Sequence, residues 1–69
     1  MMQNTIREQR LTHIPIGDEI IEVSSVHYSI GTVQPVTLNE TCVFFPNGHS
    51  EVRGTYDEHD DIVEELRHS

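Results

Sequence analysis

Residues 41–53 read Thr41-Cys42-Val43-Phe44-Phe45-Pro46-Asn47-Gly48-His49-Ser50-Glu51-Val52-Arg53, and this stretch decides the fold. Its Asn-Gly pair lies between two β-prone runs, which is the strongest short-range signal for a β-hairpin. If Asn47 and Gly48 are the two central turn residues, Val43 faces Val52 across the hairpin. We therefore expect Val43, Phe45 and Val52 to point into the core.

An earlier hairpin is predicted from residues 11–16 and 19–23, which are β-prone and flank the turn signal Gly17-Asp18. Pro15 has no backbone N–H to donate, so it marks the first strand as an edge strand. Residues 1–10 are polar with Ile6 as an apolar anchor, and we expect a mobile arm or a frayed turn there.

The next segment changes its hydrophobic phase. Ile21 and Val23 share one parity, whereas Val26, Tyr28 and Ile30 share the other. A β-bulge at Ser24-Ser25 would put both sets on one face of the sheet, and we expect one there. Residues 36–40 are a short extended or turn segment whose strand status the sequence leaves open.

Residues 57–65, Asp-Glu-His-Asp-Asp-Ile-Val-Glu-Glu, are typical of an acidic amphipathic helix. Asp57 is a good N-cap, with Asp60 at the third helical position. An apolar stripe at i, i+3, i+4 and i+7 runs through His59, Ile62, Val63 and Leu66, and it would dock on a sheet.

The predicted fold is therefore α+β. It has a small antiparallel sheet of about four strands, with the C-terminal amphipathic acidic helix packed on one face. Residues 1–69 are expected to form a single small domain. A chain of this size buries only about 60% of its unfolded surface, so contacts with a partner or a second copy would help to stabilise it.

Charge is the strongest chemical feature of the chain: it has twelve acidic residues, four arginines, no lysine and a formal net charge of −8. This charge repels nucleic acid and anionic membranes at long range. The arginines are scattered and form no track for a phosphate backbone. We therefore expect no direct nucleic-acid binding and no membrane binding.

Cys42 is the single cysteine and cannot form an intrachain disulfide, which favours a reducing, intracellular setting. The chain opens with no signal peptide pattern, and no run approaches the roughly 18 apolar residues that span a bilayer. A cytoplasmic location is the expectation.

Five histidines and Cys42 raise the question of a metal site, but no C-x-x-C, H-x₃-H or H-E-x-x-H pattern occurs. We expect no metal and no cofactor, with the histidines on the surface and His59 flanking the apolar stripe. The chain also lacks a phosphate loop or nucleophile elbow, and a reactive thiolate is disfavoured in so negative a chain. It is therefore not expected to be an enzyme.

The acidic helix has two interpretations. The plainer one is an ordinary solvated helix face. The sharper one rests on charge density, because residues 57–65 place six carboxylates over about 12 Å and duplex DNA carries about seven charges over that length. The residues predicted to bind a partner are Tyr56, Asp57, Glu58, Asp60, Asp61, Glu64, Glu65 and Glu51.

Residues 39–44 (Asn-Glu-Thr-Cys-Val-Phe) and 56–66 (Tyr-Asp-Glu-His-Asp-Asp-Ile-Val-Glu-Glu-Leu) resemble the hairpin-then-helix end of small acidic phage-encoded proteins. There an E-T-x-V-F strand precedes a Y-D-T-x-E-E-A helix start, and this chain departs from that pattern at His59. The resemblance carries over no catalytic residue. It implies a protein of the class that blocks host proteins, including anti-CRISPR and nucleic-acid-mimic inhibitors, and that acts in the host cytoplasm.

The leading hypothesis is thus a non-enzymatic binding protein, an inhibitor that occupies a basic, nucleic-acid-handling surface of a host protein. The alternative belongs to a different class: a structural or assembly module without inhibitory role, whose sheet edge pairs with a second copy to form a homodimer.

Overall fold

The computed structural model describes residues 5–31 and 33–69, with side chains from Arg7 onward. Four strands form one antiparallel sheet in the order β1-β2-β3-β4, followed by a 3₁₀ turn and one helix. The elements are β1 (Thr5–Ile16), β2 (Glu19–Ile30), β3 (Val36–Phe44), β4 (Ser50–Gly54), the 3₁₀ turn (Tyr56–Glu58) and α1 (His59–Arg67). The predicted α+β architecture is confirmed. In the described part of the chain, no helix is long and apolar enough to cross a membrane.

The first hairpin turns at Gly17-Asp18, as predicted, with Ile16 paired to Glu19. Gly17 has a φ of +62° whereas Asp18 does not have a positive φ, and a positive φ at the first central residue alone is the mark of a type II′ turn. β1 is an edge strand, as Pro15 indicated.

The prediction of a mobile arm or a frayed turn at residues 1–10 is wrong for residues 5–10, which belong to β1. β2 continues to Ile30, and its last six residues supply backbone partners for this segment from Thr5 to Arg10. Residues 1–4 of the predicted arm lie outside the described residues.

The bulge expected at Ser24-Ser25 does not form, because β2 pairs without a register shift with both β1 and β3. Alternation along β2 therefore places Ser25 on the buried face beside Val23. The second apolar set, which contains Val26, Tyr28 and Ile30, lies on the opposite face. Residues 36–40, which the sequence left open, form the first half of β3.

The Asn-Gly hairpin has a three-residue loop rather than the expected two. The Phe45 N–H donates to the His49 carbonyl (2.8 Å), the Gly48 N–H donates to the Phe45 carbonyl (3.1 Å), and Gly48 has φ +92°. This is a turn followed by a left-handed glycine, and it shifts the pairing so that Cys42 faces Val52. Val43 is fully buried and Phe45 packs on the core, as expected, but Val52 is 61% exposed on the other face.

Helix α1 lies on one face of the sheet and closes the core. The predicted stripe of His59, Ile62, Val63 and Leu66 is confirmed as its buried side. These side chains meet the buried residues of the first three strands; the apolar core is Ile14, Ile21, Val23, Val43, Ile62, Val63 and Leu66.

The helical segment begins earlier than predicted, because Thr55 rather than Asp57 caps it. The Glu58 carboxylate accepts from the Thr55 backbone N–H (2.9 Å) and from its hydroxyl (3.2 Å). Gly54 leaves room for that carboxylate, since a Cβ there would lie 2.6 Å from Glu58 Oε1. Thr-x-x-Glu is itself a capping-box sequence.

The register of the second hairpin can be tested with one matched pair of variants. We expect Val43→Ala to lower the free energy of unfolding by about 2 kcal/mol, because it leaves a cavity in the core. Val52→Ala should change the free energy of unfolding by less than about 0.5 kcal/mol in the monomer. Urea unfolding at low protein concentration measures both, and equal losses would contradict the register.

Candidate functional site

The outer side of the 3₁₀ turn and α1 is strongly acidic. All six carboxylates predicted there are exposed: Asp57, Glu58, Asp60, Asp61, Glu64 and Glu65. They lie opposite the stripe that docks on the sheet, because a 100° rotation per residue separates acidic from apolar positions. The structure thus brings together six of the eight residues predicted to bind a partner. We call these six residues the acidic face.

Three of the six carboxylates of the acidic face have hydrogen-bond or ion-pair partners within the chain. Asp60 accepts from the Arg10 guanidinium at 2.7 Å, and this hydrogen bond, with the charge of Arg10, holds the pKa of Asp60 below its ordinary value. Glu64 pairs with His68 at 2.6 Å, and Glu58 caps the turn. To the residues that the structure describes, Asp57, Asp61 and Glu65 make no side-chain hydrogen bond or ion pair, and they are free to meet a partner.

The two remaining predicted residues are held by other parts of the fold. Glu51 is on β4 and pairs with Arg53 (2.8 Å) and His49 (3.1 Å); the hydrogen bond from Arg53, then that from His49, lowers the pKa of Glu51. Its charge is thereby largely neutralised.

Tyr56 is half-buried, with its ring centroid 5.9 Å from that of His27. Its backbone N–H donates to Asn39 Oδ1 at 2.8 Å. Tyr56 therefore fixes the start of the turn against β2 and β3, and part of its ring remains open at the border of the acidic face.

Beneath the acidic face lies a polar network centred on His59, which is fully buried, as its place in the helix stripe predicted, whereas the other histidines are not. Its Nε2 is 2.8 Å from Thr12 Oγ1 on β1, and its Nδ1 is 2.5 Å from Ser25 Oγ on β2. Ser25 Oγ is in turn 2.5 Å from Thr41 Oγ1 on β3, which donates to the Thr55 carbonyl at 2.7 Å. The network joins three strands, the helix and the segment before it.

The direction of each hydrogen bond follows from the last one. The Thr41 hydroxyl proton is used on the Thr55 carbonyl, so Thr41 must accept from Ser25. Ser25 then accepts from His59 Nδ1–H, and the neutral imidazole accepts at Nε2 from Thr12. Every donor is used once. Among the described residues, no buried side-chain N or O atom lacks a partner.

This network is structural. A Ser–His contact is also the core of an activated nucleophile, but Ser25 and His59 are both fully buried and the Ser25 proton is directed at Thr41. Sequence analysis placed His59 in the helix stripe and missed its partners. The missed signal was a polar residue at the core-facing register of each of the three long strands, namely Thr12, Ser25 and Thr41.

The other candidate ligands are dispersed. No group of three or more His, Cys, Asp or Glu side chains that could hold a metal ion occurs in the described ranges. Cys42 is half-buried on the face away from α1, where burial and then the neighbouring Glu40 raise the pKa of its thiol. A raised pKa keeps the thiol protonated at neutral pH and lowers its reactivity.

Comparison of the chain with protein-family models, curated proteins and solved structures gave no match.

The network can be tested by removing its central hydroxyl. We expect Ser25→Ala to lower the free energy of unfolding by about 1–3 kcal/mol, because the Nδ1–H of His59 then lacks an acceptor inside the protein. Ser29→Ala, on the same strand and face but outside the network, should cost less than about 0.5 kcal/mol. Chemical denaturation of both variants provides the measurement, and similar losses would argue against the network.

The network also predicts a pH dependence of stability. Burial, and then the positive charge of Arg10, lower the pKa of His59 below its ordinary value of 6.5, against a smaller opposing effect of Asp60. Above that value the imidazole is neutral in the folded and the unfolded chain. As the pH falls below it, the unfolded chain binds the proton first, so stability declines until the pH passes the folded pKa.

We expect His59→Gln to remove this part of the decline, and we expect His68→Gln, which changes an exposed residue, to leave it in place. Urea midpoints measured between about pH 5 and pH 8 would reveal the difference. A native-like slope in His59→Gln would assign the decline to other groups.

Proposed function

We propose that this protein is a non-enzymatic binding protein whose acidic face occupies a basic surface of a partner protein. The observation that carries the proposal is the exposure of six carboxylates on one short turn and helix, three of them without a partner in the described part of the chain. Solubility alone would be served by acids spread over the surface.

The charge density of the acidic face supports a partner whose basic surface normally binds nucleic acid. The 3₁₀ turn rises about 2 Å per residue and the helix about 1.5 Å, so the six carboxylates span about 13 Å. Duplex DNA carries between seven and eight charges over that length. Arg10 neutralises Asp60, so about five net charges would face a groove lined with Lys and Arg for a phosphate backbone, which is about two thirds of the charge density of duplex DNA.

The acidic residues are distributed unequally between the two sides of the sheet. Nine of the twelve acidic residues lie on the helix side of the sheet: six on the 3₁₀ turn and α1, and Glu8, Glu19 and Glu51 on strand positions that face α1. The approach of a basic partner is therefore steered toward this side, and the on-rate should fall as salt rises.

With the phage resemblance, the proposal becomes more specific: the protein is an inhibitor that acts in the cytoplasm of a bacterial host and competes with nucleic acid for the partner's surface. Binding to the free carboxylates Asp57, Asp61 and Glu65 would supply most of the attraction. Tyr56 would contribute an aromatic contact at the border.

The proposal is tested by neutralising the three free carboxylates, with the variant Asp57→Asn, Asp61→Asn and Glu65→Gln. The native chain and the variant are used to capture proteins from a bacterial lysate, which mass spectrometry identifies. We expect the variant to bind the captured partner about tenfold more weakly, because three exposed ion pairs contribute about 0.5 kcal/mol each.

The matched control changes three acids outside the helix side: Asp18→Asn in the first turn, and Glu22→Gln and Glu40→Gln on the other face of the sheet. It has the same net charge as the test variant, so equal weakening in both would reduce the effect to total charge. An excess of duplex DNA or RNA should displace the native chain from its partner. Capture that neither nucleic acid nor salt reverses would refute nucleic-acid mimicry.

A further inference from the structure

The sheet has a second large surface, on the side away from α1. We call it the open face, and its apolar members are Leu11, Ile20, Val26, Tyr28, Ile30, Val36, Leu38, Cys42, Phe44 and Val52. Several of them are well exposed for their size: Leu11 is 58% exposed, Val36 63% and Val52 61%. No element of the described chain packs over them.

These side chains form a continuous surface. One row crosses the whole sheet through Leu11, Ser24, Cys42 and Val52, which are neighbours in the register. Val26 and Tyr28 continue the apolar surface along β2 and line a shallow depression with Ile30 and Arg7. Contiguous apolar surface of this kind is typical of an interaction site.

Charge is nearly absent from the open face. Of the described Asp, Glu and Arg residues, only Arg7, Glu22 and Glu40 take its register, and Glu22 pairs with His13 at 3.3 Å. One arginine against two glutamates leaves a net charge of −1, whereas the chain carries −8. The acidic side and the apolar side are thus back to back.

We propose that the open face is the interface with a second copy of this chain, with the two sheets stacked face to face about 10 Å apart. This proposal does not depend on the proposed function. Two copies of a chain at −8 repel each other through their acidic sides, and stacking of the open faces keeps those sides at opposite ends of the dimer.

The available area fits a dimer of modest affinity. β1 to β3 are together about 14 Å wide over the eight steps from Glu22 to Ile30, which cover about 27 Å, and the shorter β4 and the extension of β1 and β2 to Ile20 bring the flat area to about 500 Å². Side-chain relief adds to this area. It approaches the roughly 600 Å² per partner at the low end of specific interfaces, so we expect dissociation in the micromolar range.

A two-layer sandwich would also complete the core. β1 and β2 are covered by α1 on one side only, and stacking provides the missing layer for their other side. This arrangement differs from an edge-paired dimer, in which the interface would be the backbone of β1 or β4 and Cys42 would remain uncovered. This difference makes the two arrangements separable.

Sedimentation velocity over about 1 µM to 1 mM tests the proposal, and we expect the average mass to rise toward twice that of the chain. The variant Leu11→Lys with Val52→Lys should weaken the dimer at least tenfold, because it places one charge at each end of the row that crosses the open face. It also reduces the net negative charge, so dissociation could not result from general repulsion.

The matched control is Ile16→Lys with Val33→Lys, which adds the same charge at two exposed apolar residues outside the open face. It should dimerise like the native chain. Urea unfolding at low concentration verifies that both variants remain folded, which is expected because all four side chains are about half exposed or more.

Cys42 supplies a second measurement on the native chain. Its rate of alkylation by iodoacetamide should fall as the protein concentration rises through the dimerisation range. A monomer at all concentrations, a dimer that the open-face lysines do not weaken, or a dimer with an unchanged rate at Cys42 would each overturn the proposal.

Discussion

The hydrogen-bonded network through His59 is the interaction on which the packing of α1 depends. The apolar core contains only seven buried side chains, and four of these are on the strands. So small a core leaves the position of a nine-residue helix weakly specified. His59 contacts β1 through Thr12 and β2 through Ser25, and Ser25 passes the connection to β3, so a shift of the helix by one residue would break several buried hydrogen bonds at once.

Features of the fold that depend on neighbouring residues could be predicted from the sequence, whereas the network, which joins residues far apart in the chain, could not. Two hairpins, the edge position of β1 and the buried stripe of α1 follow from local patterns, because turn residues and hydrophobic periodicity are written in neighbouring positions. The bulge at Ser24-Ser25 was a wrong prediction because both apolar sets of β2 were assumed to lie on one face of the sheet. Ser25 is buried with its hydroxyl oxygen accepting a hydrogen bond from His59, which is 34 residues away in the sequence. No local pattern contains that information.

The second error has a different physical origin. The Asn-Gly signal was right about the hairpin, but the loop includes Pro46 as well, and a one-residue change in loop length moves Val52 to the opposite face. Together the two errors concealed the same feature. Val26, Tyr28 and Val52 were assigned to the core, whereas they belong to the open face. The candidate acidic residues were found from the sequence because exposed charge on a helix depends only on spacing.

The acidic face has a cost that the rest of the molecule offsets. Like charges at i and i+4 destabilise a helix by a few tenths of a kcal/mol per pair, and Asp57–Asp61 and Asp61–Glu65 are such pairs. Arg10 neutralises Asp60 from β1, His68 partners Glu64, and the acids of the first turn interact favourably with the helix dipole. The three carboxylates without a side-chain partner in the described chain, Asp57, Asp61 and Glu65, are the ones in these two like-charge pairs. A cationic surface placed against them would relieve this repulsion, so association with a basic partner would stabilise the helix as well as hold the partner.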